Sequence, residues 1–194
     1  MHHYYLYHKP FGCVTARRDD RYPTVMDAFR GLDNPDLSPV GRLDRETEGL
    51  LLITDDGQFN RQMTRPEFHI EKIYEFIVMG DLNEEKRQAL EAGVLLNGET
   101  ELTAPARITV TGKSTLGEVL PRLHPEIREK SRHNPMDRPV TFGAIAITEG
   151  RNRQIRRMMK TQRLLVLALK RVKMGEYTLP EGLQAGEWAE VEKK

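Results

Sequence analysis

The sequence predicts an α+β fold: a mixed, largely antiparallel sheet flanked by helices, with two subdomains sharing the sheet. Three observations lead there. Short β-branched and aromatic segments recur along the chain, helical spacing appears only in brief stretches, and the two do not alternate as regular βαβ units would. No internal repeat is visible. With 194 residues the chain can bury one substantial core, or two small subdomains, without disulfides or metals. It is therefore read as one folded unit, residues 1–194.

Tyr4, Tyr5, Leu6 and Tyr7 fit a first strand, and Pro10 with Gly12 marks the turn after it. One or two helical turns are expected around Val25 to Phe29, ending near Gly31. The stretch from Ser38 to Asp44 is a loop by composition. Residues 49–54 (GLLLIT) read as a buried strand, because an apolar run of that length bounded by Gly49 and Asp55-Asp56-Gly57 is too short for a core helix. Phe59 and Met63, four apart, predict a short helix capped by Thr54 or Asp55. KIYEFIVM, from Lys72 to Met79, predicts a strand with Tyr74, Phe76 and Val78 on one face. A helix is expected from Asn83 to Ala92 with Leu90 inward. Strands are expected over 103–110 and 140–148, separated by an exposed insertion from Pro121 to Pro139. Asn152 is the expected cap of a helix that turns Ile155, Met158 and Met159 inward and its arginines outward. A last long strand is expected over 164–174.

Cys13 is the only cysteine, so an intramolecular disulfide and a Cys-rich zinc site are both excluded by count. No metal or cofactor is implied. The longest apolar run is far below the ~20 residues of a membrane span, and the start lacks the order of a signal peptide. A cytoplasmic chain with no membrane partner is expected. The formal net charge is only +1, but it is unevenly spread. RNRQIRRMMKTQR, from Arg151 to Arg163, carries Arg151, Arg153, Arg156, Arg157, Lys160 and Arg163 and no acid, and Arg128 and Lys130 lie in a second basic segment. Acids such as Asp81, Glu84, Glu91, Glu99 and Glu101 stand elsewhere in the sequence. One basic face suited to a phosphate backbone is expected, with Arg128, Lys130, Arg151, Arg153 and Arg157 on it.

Asp44 sits in GRLDRETEGL, a polar loop delivered directly into the buried strand at Gly49. A carboxylate there is fixed by a rigid neighbour yet exposed at a strand end, which suits catalysis. An isolated Arg-Leu-Asp is more often a turn cap or the partner of a neighbouring arginine. The series as a whole is more specific. GRLDRETEGLLLITDDG, then Lys72-Ile73-Tyr74, then EGRNRQIRRM from Glu149 to Met158, with His8-Lys9-Pro10 near the start and LKRVKMG from Leu169 to Gly175, resembles the RsuA/RluB/RluE/RluF family of ribosomal-RNA pseudouridine synthases in order and spacing.

That resemblance implies the pseudouridine synthase fold and the isomerisation of a uridine in RNA to its C-glycoside. Asp44 corresponds to the family's catalytic aspartate. Tyr74 corresponds to the tyrosine that stacks on the target base, and Leu169 to the apolar residue on the base's other side. Arg156 corresponds to the basic residue that pairs with the aspartate, and Arg42 to an arginine that enters the RNA stack in place of the flipped base. The reaction needs one carboxylate that attacks C1′ or removes a proton from C2′, a pocket shielding the detached base, and extrusion of the nucleotide from its stack. The first strand begins close to Met1, so the family's small N-terminal RNA-binding module is expected to be missing. With the basic insertion around Arg128, this most resembles the RluE type, which modifies large-subunit (23S) ribosomal RNA, and a monomer is expected.

Each residue has a plainer reading. Tyr74 and Leu169 fit a core, and Arg156 and Arg42 fit a solvated face or a phosphate contact. Two other functions compete. A non-catalytic RNA-binding or ribosome-assembly protein would not need Asp44, Tyr74 and Arg156 together. A nucleic-acid glycosylase would need a second carboxylate to activate water, a job open only to Glu46 or Glu48.

Overall fold

The computed structural model describes residues 2–194. In chain order the elements are β1 (Tyr4–Lys9), β2 (Ser38–Pro39), β3 (Glu48–Thr54), α1 (Gly57–Thr64), β4 (Lys72–Met79), α2 (Glu84–Ala92), β5 (Arg107–Thr115), α3 (Leu116–Val119), α4 (Pro125–Ser131), β6 (Pro139–Ile147), α5 (Gln154–Thr161), β7 (Leu165–Met174), β8 (Tyr177–Thr178) and β9 (Trp188–Glu190). Short 3-10 turns lie at Val25–Phe29, Pro66–Phe68 and Leu120–Arg122. The class is α+β, as the mixed element order predicts.

The chain divides into two compact units, one made of residues 2–72 with Lys170–Lys194 and the other of Ile73–Leu169. In the first, β1 pairs antiparallel with β3 on one side and β9 on the other. Strand β3 meets β7 in parallel at Glu48↔Lys170 and Gly49↔Arg171. Leu6, Val40, Leu50, Leu52, Phe59, Met63, Met174 and Tyr177 form its core. The β3 run is apolar throughout because its side chains are buried from Gly49 to Thr54 on both faces. Helix α1 turns Phe59 and Met63 into that core, and its cap is Asp56, whose carboxylate accepts from the Gln58 and Phe59 N–H groups. Neither Thr54 nor Asp55 caps it. Asp55 instead takes the His2 and His3 rings and Asn34, while the Thr54 hydroxyl donates to His3 O.

In the second unit the strand order is β5-β6-β4-β7, with β5 and β6 antiparallel and a bulge between Val110 and Gly112. The expected strand over 103–110 starts later, at Arg107. Thr103 is occupied otherwise: its N–H donates to Val94 O, and its hydroxyl accepts the Val94 N–H. The polar residues TGKST extend β5 because β6 offers them partners, a tertiary effect that propensity does not show. The segment 121–139 is not wholly exposed either. It contains α4, which buries Ile127 and Ser131, and Leu123 is buried just before it. Helix α5 turns Ile155, Met158 and Met159 inward as expected. Its cap position is Arg153, not Asn152, in a left-handed conformation with φ 48°.

Candidate active site

Asp44 lies in the first unit, half-buried on the loop between β2 and β3, while Arg42, two residues earlier, is exposed. Three contacts hold this loop. The Thr15 hydroxyl donates to Leu43 O at 2.8 Å and accepts the Leu43 N–H at 3.1 Å, clamping the residue before the carboxylate by both of its main-chain groups. Asp44 O accepts the Thr47 N–H at 3.0 Å, closing a tight turn over residues 44–47. Beneath that turn is Lys9, fully buried at the end of β1. Its ammonium donates to Thr47 O at 2.8 Å and Pro10 O at 3.0 Å, with Arg45 O at 3.4 Å.

Lys9 explains itself chemically. Carbonyls in a buried turn need donors, and an ammonium is donor-only, with three N–H bonds for three oxygens. Burial pushes its pKa down to about 8, against the opposing pull of Cys13, Glu48 and Asp44. Beyond Asp44, the Arg45 guanidinium stands 4.7 Å from the centre of the Tyr22 ring and 5.7 Å from that of Phe11. At the loop's far end Gly49 has φ 102°, and a Cβ there would overlap the Arg171 carbonyl across the parallel β3–β7 pair. The glycine in GRLDRETEGL is thus a requirement of close backbone approach.

In the second unit Tyr74 and Leu169 are both buried, on the neighbouring strands β4 and β7. Arg156 is half-buried on α5, with Nη1 3.4 Å from Val166 O. Arg128 and Lys130 are exposed on α4, where Lys130 pairs with Glu126 at 2.8 Å. Arg153 is exposed at the head of α5. Arg151 and Arg157 stand differently from the expected open basic face. Glu99 receives a hydrogen bond from each at 2.5 Å, Arg151 also reaches Leu102 O and Glu101 O, and Arg157 reaches Asn97 O. The paired guanidinium groups hold the Glu99 carboxyl below its usual range. An acid distant in sequence folds back between the two arginines, and Glu149 pairs with Arg151 at 3.2 Å as well.

From the sequence, Lys9 enters only as part of a motif, Glu99 only as one of the acids standing away from the basic segment, and Thr15 not at all. For Lys9 a signal existed: Tyr5, Tyr7 and Lys9 share a face by strand alternation, and a lysine on an aromatic, buried face must have carbonyl or carboxylate partners. Thr15 and Glu99 act through long-range contacts that leave no local trace.

Asp44 thus stands half-buried on a loop that is fixed from behind and leads into a buried strand. A family model described as RNA pseudouridylate synthase matches residues 3–161. The chain belongs to that family. It is an RNA pseudouridine synthase, an isomerase related to the RsuA and RluE enzymes. It is 33% identical over 195 residues to the ribosomal small subunit pseudouridine synthase A of Haemophilus influenzae, covering 98% of this chain and 72% of that one. It is 36% identical over 183 residues to the ribosomal large subunit pseudouridine synthase E of Xanthomonas campestris, covering 94% of this chain and 92% of that one. A crystal structure of a pseudouridylate synthase superposes on the synthase with TM-score 0.79 at 32% identity, covering 99% of this chain and 71% of that one. Among the described residues no group of three or more His, Cys, Asp or Glu is placed to hold a metal ion. None of the described helices is long and apolar enough to cross a membrane.

Proposed function

We propose that the synthase converts one uridine of ribosomal RNA to pseudouridine with Asp44 as the reacting carboxylate. The observation that carries this reading is the Asp44 loop, clamped at Leu43 by Thr15 and from beneath by Lys9. Fixing the backbone on both sides of one carboxylate holds it in a near-attack position without metal or oxidant. The carboxylate serves either by attacking C1′ of the flipped nucleotide or by removing the C2′ proton. In both routes the N-glycosidic bond breaks, the uracil turns, and a new bond forms from C1′ to C5, whose proton is released.

The remaining roles follow the family resemblance: Tyr74 and Leu169 for holding the base, Arg156 as the guanidinium that favours an ionised aspartate, and Arg42 for the RNA stack. Arg128, Lys130 and Arg153, all exposed, are the proposed backbone contacts, with Arg151 and Arg157 beside them in ion pairs with Glu99 and Glu149. Large-subunit RNA is the proposed substrate. The likeness to a relative named for the large subunit, 36% over 92% of its length, supports it, as does the insertion around Arg128 that resembles the RluE type.

The test uses unmodified transcripts of 23S and 16S ribosomal RNA labelled with tritium at uridine C5. The wild-type protein releases tritium from the 23S transcript, and Asp44→Asn releases none while its RNA affinity stays within about twofold. Release at the normal rate by Asp44→Asn removes the aspartate from the reaction. Release from the 16S transcript alone reassigns the substrate.

A further inference from the structure

The segment ARRDDRY, residues 16–22, takes no part in the site described above, yet it is tied to it. Thr15 clamps Leu43 on one side of Asp44. Tyr22 lies against Arg45 on the other, 4.7 Å from guanidinium carbon to ring centre. Between them the Asp19 carboxylate accepts the N–H groups of Arg21 and Tyr22, each at 2.8 Å, which fixes the turn. Tyr22 keeps 42% of its surface exposed. An aromatic held rigid and left in solvent beside a reacting loop is unusual, because burial would ordinarily claim it.

Next to this turn lies an open groove of about 730 Å³, within the range of ligand sites, roughly 300–1,000 Å³. Arg17, Arg18 and Arg30 line it together with the carboxylate of Asp33, and Arg30 is paired with Asp27 at 2.6 Å. All three arginines are exposed. Arg17 makes only long contacts of 3.4 Å to Pro35 O and Leu37 O, which leaves most of its hydrogen-bonding capacity open. Phe29 and Leu32 supply an apolar floor. Exposed guanidinium groups lining a groove, beside a turn that carries an exposed aromatic ring, match the backbone charges and base faces of single-stranded nucleic acid.

We infer that the turn over residues 15–22 and the groove beside it form a second RNA surface, on which Arg17 and Arg18 take the phosphates of the single strand flanking the target uridine and Tyr22 stacks on one of its bases. The inference rests on the RNA reading proposed above. Because Thr15 and Tyr22 touch the residues on either side of Asp44, a strand seated here also steadies the reacting loop.

The experiment compares Arg17→Gln/Arg18→Gln with a charge-matched control, Arg61→Gln/Arg65→Gln, which removes two exposed arginines on and beside α1. Affinity for the 23S transcript is measured between about 0.05 and 0.2 M salt. Conversion of that transcript by the wild-type protein is scored first. Its failure counts against the substrate reading and is seen before any variant is examined. With conversion established, Arg17→Gln/Arg18→Gln raises Kd about tenfold at the lowest salt and lowers the slope of log K against log salt by about 1.4, at 0.7 per single-strand phosphate contact. The control changes neither. An unchanged Kd and slope in Arg17→Gln/Arg18→Gln overturns the inference, and so does an equal loss in the control.

Discussion

Replacing Lys9 by Met removes the anchor beneath the Asp44 turn while keeping an unbranched apolar stem. The carbonyls of Pro10 and Thr47 then lose their donor, whereas Arg45 O retains the Gly12 N–H. An unsatisfied buried carbonyl costs about 1–3 kcal/mol, so the two together cost about 2–6 kcal/mol. Against this stands the cost of keeping an ammonium in the interior. Lowering its pKa from 10.5 to about 8 corresponds to about 3 kcal/mol at neutral pH. The net effect of Lys9→Met near pH 7 therefore runs from about 1 kcal/mol of gain to about 3 kcal/mol of loss. The balance shifts with pH. Folded Lys9 gives up its proton near pH 8 and the unfolded chain near 10.5, so in that window the unfolded state binds more protons and wild-type stability rises relative to the variant. A neutral amine still has two N–H bonds for the two oxygens that need them. Urea unfolding of both proteins near pH 7 and near pH 10 reads the widening gap, about 3 kcal/mol over the whole window. Activity behaves differently: displacing the reacting carboxylate by ~1 Å costs about 100-fold, so tritium release at saturating RNA falls steeply even where stability is nearly unchanged. A Lys9→Met protein with the wild-type rate, or a stability gap that is flat in pH, refutes this account.

Three further outcomes are expected. Gly49→Ala places a methyl against the Arg171 carbonyl at a φ of 102° and lowers stability by about 3 kcal/mol or more, read by chemical denaturation. Glu99→Gln removes the carboxylate held low by Arg151 and Arg157. A depressed carboxyl contributes stability above its unfolded pKa and loses it as pH falls, so between about pH 5 and pH 3 the wild type loses more stability than the variant, as thermal melts at each pH would show. Arg128→Gln/Lys130→Gln lowers the slope of log K against log salt by about 1–2; an unchanged slope excludes α4 from the RNA surface.

Much of the fold was legible where one physical cause dominates. GLLLIT and KIYEFIVM are strands because continuous or alternating apolar residues of that length have no other way to be buried, and α5 shows its inward face through Ile155, Met158 and Met159. Legibility failed where partners decide. TGKST looks like a loop until β6 supplies its hydrogen bonds, and Asp55 is one of two candidate caps until His2, His3 and Asn34 claim it. For the candidate site, the motif exposes Asp44 and explains Gly49 once the β3–β7 pair is known. The support from Thr15 joins residues 28 positions apart, and the Glu99 clasp joins residues more than 50 apart; neither has a local signature. The uneven spread of charge along the sequence is likewise altered by folding, since part of the basic segment meets its counter-charge within its own unit.

The grip on the turn after Asp44 has a wider meaning for how such a synthase changes over time. Lys9 seizes oxygens that every amino acid carries in its main chain, so it is indifferent to which side chains stand at positions 45 and 46. A change of side chain at either position leaves that grip intact, so the turn behind the carboxylate keeps its shape whatever contacts those side chains make.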